Sequence, residues 1–450
     1  MAKASAGAIV LLFHRDLRLV DHTGLRTAVA LSRTHEARIL PLFVFTREQV
    51  SAENKLRSMN SIQFMLKSLE ELEDAVRIDG GRMLFAYGST DKVLQNLHSR
   101  LPGGIKAVVE TRDYTPYAKE REAKVAAIAA TLGAEHHLVE DSYLLPPGSV
   151  KTGAGNTFQK FTPFYETVRR KAIPKPQSKP PVRWFGGGLK GMSGGRRSGA
   201  TRRSSRGVTF PGEVSLALMT RRLVPHPNPH IAVQGGRKEG LRLIKAIPRN
   251  YAEIHDVPAE RTSMLSAHNH YGTVSIREVY HAGKAIGGPN GTAFVRQLWW
   301  RDFFIGIIND FEQLYDTHPY EFQKNPPRPL SASQKEDFEN WCKGTTGVPM
   351  VDAGMRQLLN TGYMHNRVRL AVASWLVKDK HVHWRLGERF FAQHLVDYDF
   401  SQNACNWMWI ASVLPFGMPP FRRIDAYRTA ERFNADGVYV KRWLEDKPAA

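Results

Sequence analysis

The chain has 450 residues, 42% of them hydrophobic, and Lys and Arg outnumber Asp and Glu by 63 to 43, a net charge of +20. That length exceeds what one hydrophobic core usually serves, so two domains are expected, and the basic excess favours a polyanionic partner, either nucleic acid or an anionic lipid surface. Two cysteines, Cys342 and Cys405, with no C-x-x-C pair, exclude a disulfide framework, a zinc ribbon and a cysteine-ligated iron–sulfur cluster.

The opening "MAKASAGAIVLLFHRDLRL" carries a short apolar run without a cleavage pattern, and no later stretch reaches membrane-spanning length. A soluble protein of a reducing compartment is expected. The runs "AIVLLF" (8–13), "RILPLFVF" (38–45), "RMLFAYG" (82–88) and "IKAVVE" (105–110) read as buried strands, and "SIQFMLKSLEELEDAVRI" (61–78) has apolar residues at helical spacing. Strands alternating with helices predict an α/β domain over residues 1–145, with a Rossmann-like or flavodoxin-like parallel sheet. No G-x-G-x-x-G follows the first strand, so the usual dinucleotide fingerprint is missing.

From 146 to 235 the texture turns to Pro, Gly, Ser and Arg, with "GGGLKGMSGGRRSGATRRSSRG" (186–207) as its extreme. Such a composition buries too little apolar surface to order itself, and it reads as a linker with a disordered insertion. Its arginines (Arg196, Arg197, Arg202, Arg203, Arg206) read equally as a nuclear signal, a phosphate-binding arm or a solvated linker. The remaining residues, 236–450, have helical patterns almost throughout, predicting an all-α second domain.

Four segments of that domain combine unusual chemistry. "TSMLSAHNHYGTVSIRE" (262–278) opens with hydroxyls at Thr262, Ser263 and Ser266 ahead of a helical pattern, which suits a bound phosphate. "RQLWWRDFF" (296–304) sets aromatics and Arg301 on one helix, and "TGYMHNRVRLAVASWLVKD" (361–379) puts Asn366 and Leu370 one turn apart. "HWRLGERFFAQHLVDYDFSQNACNWMW" (383–409) adds Trp384, Asp397, Asp399, Asn403, Trp407 and Trp409. Taken singly these residues are ordinary, since Trp is mostly buried anywhere and Ser and Thr cap helices everywhere. Two carboxylates and two indoles within thirteen residues are not.

The motifs "FHRDLRLVDH" (13–22), "DYTPY" (113–117), "TSMLS" (262–266), "TGVPMVDAGMRQL" (346–358), "MHNRVR" (364–369) and "GVYVKRWL" (437–444) occur in the order of the photolyase/cryptochrome family, which the chain resembles over nearly its whole length apart from the Arg-rich insertion. The resemblance implies an N-terminal antenna domain, a linker and a helical domain that holds FAD beneath a basic DNA-binding face. It also implies residue roles. Tyr251, Thr262, Ser263, Leu265 and Ser266 match the FAD phosphate region, with Arg301 near the cofactor. Asp397, paired with Arg369, and Asp399 match positions against the flavin, and Asn403 matches the residue facing flavin N5. Trp407 and Trp384 match the first members of an electron-transfer chain, while Gln297, Trp300, Asn366, Arg367, Leu370 and Trp409 match positions around an extruded DNA lesion.

The implied activity is light-driven repair of cyclobutane pyrimidine dimers in DNA by a monomer; the alternatives are a six-four photolyase, a cryptochrome photoreceptor and a basic helical DNA-binding protein without flavin. Six-four enzymes typically carry histidines where Asn366 and Leu370 stand, whereas Gln297 is the residue those enzymes tend to have. A second, antenna chromophore, folate or deazaflavin, is expected near "DYTPYAKERE" (113–122), and no metal. The compartment follows the source, nucleus in a eukaryote and cytoplasm in a bacterium. One departure stands out: the family's third, surface tryptophan falls on Ser331, which leaves Trp341 or Tyr363 as the expected substitute.

Overall fold

In the computed structural model, which describes residues 7–185, 210–311, 329–413 and 418–445, the four apolar runs become strands. These are β1 (Ala8–Phe13), β2 (Arg38–Phe45), β3 (Leu84–Tyr87) and β4 (Ile105–Thr111), joined by β5 (Glu135–Val139). The sheet is wholly parallel with order β3-β2-β1-β4-β5. Sequence periodicity misses β5 because "EHHLV" is polar: it forms the sheet edge, where His136 donates to Glu110 at 2.9 Å. Helices α1 (Thr23–Thr34), α2 (Met59–Ile78), α3 (Thr90–Arg100) and α4 (Pro116–Thr131) cross between the strands.

Alternation along β1 divides the core. Ala8, Val10 and Leu12 join Val93, Leu94, Leu97 and Val125 of α3 and α4 on one sheet face. Ile9, Leu11 and Phe13 point the other way, into a cluster that continues through α2 into the helical domain. One apolar core therefore spans both domains, so their relative placement is set by burial.

The linker is more structured than its composition predicts. It holds α5 (Phe161–Val168) and a second helix, Leu216–Leu223. The insertion at 186–207 lies outside the described residues, and its flanks are tied to the sheet, with Trp184 bridging Ile39 and Glu213 bridging Ala86. The helical domain contributes α6 (Ser266–Tyr271), α7 (Gly288–Asp310), α8 (Ala332–Lys343), α9 (Pro349–Thr361), α10 (Asn366–Ser374), α11 (Trp384–His394) and α12 (Phe400–Ala411). Among the described residues no helix is long and apolar enough to cross a membrane, and no group of side chains is placed to hold a metal ion.

Residues 142–168 run as a strap along α7. Leu145 N–H donates to Asp302 at 3.1 Å, and Lys151 and Thr157 both bond Asp310, at 2.7 and 2.6 Å. Burial pushes the Asp302 carboxyl up to about 7, against the opposing pull of Arg301 and the strap amides. A carboxyl raised above its unfolded value, near 3.9, contributes stability that is full below that value and is lost as pH rises through the folded one. Asp302→Asn keeps an oxygen for Leu145 N–H and does not ionise. Its stability advantage over the parent, read from urea midpoints, is expected to grow from pH 5 to pH 8 and to reach on the order of a few kcal/mol; a pH-independent difference would contradict this.

Candidate functional site

The helical domain encloses a cavity of about 1290 Å³, walled by α7, α10 and α12, the loop before α6, and the start of α5. Pockets for small molecules usually span about 300–1,000 Å³, so there is room for a dinucleotide and for a further group at the mouth. Of the residues singled out in the sequence, Tyr251, Thr262, Ser263, Leu265, Ser266, Gln297, Trp300, Arg301, Asn366, Arg367, Arg369, Leu370, Asp397, Asp399, Asn403, Trp407 and Trp409 all line it. Trp384 does not stand among the lining residues; it is buried at the start of α11.

Helix geometry explains the convergence. On α7, Gln297, Trp300, Arg301 and Phe304 recur at spacings of three and four and share one face. The α10 cap is His365, whose Nδ1 accepts from Arg367 N–H, and Asn366 and Leu370 follow one turn apart. Asp399 caps α12 by accepting from the Ser401 and Gln402 amides, which sets Asn403 and Trp407 on the inward face. Met264 adopts φ 53°, a left-handed conformation costly for a residue with a Cβ. That strain sits within the Thr262–Ser266 loop.

Two acid pairs carry the electrostatics. One nitrogen of Arg369 bonds both oxygens of Asp397 at 3.0 Å. Asp399 accepts from Arg15, from His270 at 3.2 Å and from Ser401 Oγ at 2.6 Å, and Arg15 also reaches Asp113 at 3.2 Å. Burial alone would raise Asp399, but Arg15 and the His270 bond hold it well below the usual carboxylate range. Burial lowers His270. An ionised Asp399 only accepts, so a neutral His270 must carry its proton on Nδ1. Arg15, His270 and Asp113 carry no local sequence signal for this role, because the contact closes over 384 residues.

Three expected residues are more committed than the sequence implies. Arg301 spends its guanidinium on the Ser142 and Asn269 carbonyls, at 2.6 and 3.2 Å, and lies over the Tyr143 ring. Arg367 forms a two-pronged ion pair with Asp256 at 2.7 and 2.6 Å. The Asn403 amide nitrogen donates to the carbonyl and carboxylate of Glu388 at 3.1 and 3.0 Å. Both Asn403 protons are thereby used, so its oxygen is the group offered to the cavity.

Aromatic side chains of α8 and α11 converge on Trp407. Ser331 caps α8 through a reciprocal bond with Gln334, and Gln334 reaches His381 O in the loop before Trp384 at 2.9 Å. Trp341 is completely buried, edge-on to Trp407 at 6.2 Å between ring centres and stacked on Phe391. Tyr363 lies in the cavity wall under Arg369. Trp341 is therefore no surface terminus, although it touches the cavity-lining indole, whereas Tyr363 is half-buried.

A flavin dinucleotide fits this donor set. Asn269 lines the cavity, and its buried side-chain oxygen has no protein partner, an acceptor ready for a ligand N–H. Leu265 at the α6 cap offers no side-chain oxygen to the first-turn amides, and Thr262, Ser263 and Ser266 add hydroxyl donors beside them. Asp397→Asn would leave Arg369 uncompensated. With Arg369 itself 24% exposed, the loss is expected to fall somewhat below the roughly 3–5 kcal/mol of a fully buried pair. Urea unfolding should record that loss, and adding Arg369→Met should recover part of it.

The descriptions of two protein-family models match the chain: "DNA photolyase" over residues 9–181 and "FAD binding domain of DNA photolyase" over residues 294–447. A deoxyribodipyrimidine photo-lyase of Streptomyces griseus is 32% identical over 446 residues, covering 97% of this chain and 89% of the relative. The crystal structure of an archaeal photolyase from Sulfolobus tokodaii with two FAD molecules superposes with TM-score 0.79 at 31% identity, over 97% of this chain and 90% of that one. A Synechocystis cryptochrome shares the fold, with TM-score 0.82 at 22% identity over 97% and 88%. The fold, the cavity's donor set and a relative matched over 97% of this chain lead to one conclusion: this chain is a member of the DNA photolyase family, built to bind FAD.

Proposed function

We propose that this protein repairs cyclobutane pyrimidine dimers in DNA under blue light. The observation that carries the reading is the pairing, in one cavity, of two half-buried indoles, Trp300 and Trp409, with Asn366 and Leu370, neither of which titrates. A dimer inside a duplex is out of reach of a buried cofactor, so the lesion must be extruded. Extrusion costs a few kcal/mol, and two indoles at roughly 1–3 kcal/mol of stacking per base offset it.

When bound, reduced FAD supplies the photo-excited electron that opens the cyclobutane ring. The chain's own residues do the rest. Thr262, Ser263 and Ser266 would hold the phosphates, Asp397 and Arg369 would present a neutral pair to the cofactor, and the Asn403 side chain would face it. Glu388 fixes the direction of that amide, and burial raises its own carboxyl against the opposing Asn403 bond.

Six-four chemistry calls for a proton donor beside the lesion. His365, next to Asn366, is pushed by burial down to about 4 and spends Nδ1 on its helix cap, so it is neutral with no proton to give from that atom. Gln297, the residue that points towards the six-four class, folds its amide back to Ala293 O at 3.4 Å. Oligonucleotides carrying each photoproduct, assayed under blue light with the reduced holoprotein, should show dimer repair alone. Six-four repair without dimer repair would replace the reading, and no repair of either with FAD bound would make the protein a photoreceptor.

The missing surface tryptophan yields a second expectation. Repair by chemically reduced protein should be normal, whereas blue-light reduction of oxidised FAD with an external thiol should be slow. Ser331→Trp should accelerate that reduction despite losing a helix cap worth about 1 kcal/mol. Fast photoreduction in the parent that survives Trp384→Phe would sink this route.

A further inference from the structure

The linker helix α5 contributes a ring to the cavity that the reading above does not use. Phe161, 6% exposed, lies face to face with Trp300, their ring centres 3.6 Å apart and their planes at 6°. Free aromatic pairs prefer offset or edge-on packing to a direct sandwich, so this geometry is imposed by the surroundings. Phe303 abuts Phe161 edge-on at 5.7 Å, Tyr165 stacks near it at 5.6 Å, and the Arg296 guanidinium lies over both Phe161 and Tyr165, at 5.4 and 5.3 Å. The strap that delivers Phe161 is held to α7 by Asp302 and Asp310, two and ten residues beyond Trp300.

Trp300 also meets Phe303 edge-on at 5.7 Å and Phe304 at 5.4 Å with the planes at 34°. Resting on the repair reading, we propose that Phe161 is a positioning residue for lesion recognition: it covers one face of Trp300 and, together with Phe303 and Phe304, fixes the plane of an indole that lines the cavity and meets an extruded pyrimidine. A half-buried indole without this backing would sample several orientations, and ordering it would be charged to each binding event. A pre-set indole removes that cost only for a base that leaves the helix. Undamaged duplex, held by backbone charge, gains nothing from it. Phe161 should therefore act on lesion selectivity and not on general DNA affinity.

The test measures binding in the dark of the full-length, FAD-loaded protein to a duplex with one cyclobutane dimer and to the same duplex undamaged, for the parent, Phe161→Leu and Phe161→Tyr. Phe161→Leu should bind the lesion about three- to tenfold more weakly, with undamaged affinity within about twofold and FAD content and repair rate at saturating DNA unchanged. Phe161→Tyr should restore selectivity. Equal losses on both duplexes, unchanged lesion affinity in Phe161→Leu, or failure of Phe161→Tyr to restore it would each overturn the assignment while leaving the repair reading intact. A parent without preference for the dimer would overturn both.

Discussion

A part-buried arginine ties the two halves of this molecule together. Arg15 leaves the end of the first strand and meets Asp113 from the end of β4 and Asp399 from the helical domain. Charge shielded from water is tolerated only when paired and hydrogen-bonded, and here one guanidinium offsets two carboxylates that repel each other. Burial would lower the Arg15 pKa, but Asp113 and Asp399 raise it, so the site stays ionised. A second buried net works alongside: Arg277 of the helical domain bonds both Asp21 and Asp141, and Arg18 bonds Asp141 as well. The apolar core that runs between the domains supplies attraction without direction, and these ion pairs supply the direction.

From that tie the cavity follows. Asp399 is at once the partner of Arg15, the cap of α12 and a wall of the cavity. The position of Asn403 and Trp407 is thus tied to a residue of the α/β domain. The same economy recurs at α7, where Arg301 holds the strap by the Ser142 carbonyl while its neighbours face the cavity. Residues that look like ligands in the sequence turn out to hold the frame as well, and a change in one of them acts on both.

The fold was legible where hydrophobic period is strong. β1 to β4 are continuous apolar runs because both sheet faces are covered, and α2 shows its buried stripe openly. β5 escaped because an edge strand needs no such run. The helices of the linker escaped because their apolar residues, Phe161 and Phe164 among them, are few and sit in a Pro-rich, basic setting. Local composition does not register a partner supplied by α7.

By itself the sequence determined the helix faces: spacings of three and four set Gln297, Trp300 and Arg301 together, and Asn366 above Leu370, whatever the helices pack against. It determined, through ordered motifs, the family and the residues that gather around the cavity. Tertiary structure alone decided who pairs with whom. Arg15 reaches Asp399 across 384 residues, Arg367 turns to Asp256 across 111, and Trp341 is buried against Trp407 where its place in the sequence left it open. The physical reason is that periodicity records only whether a side chain faces inward. The choice of partner for a charge or a ring depends on distances between elements, and no residue carries those alone.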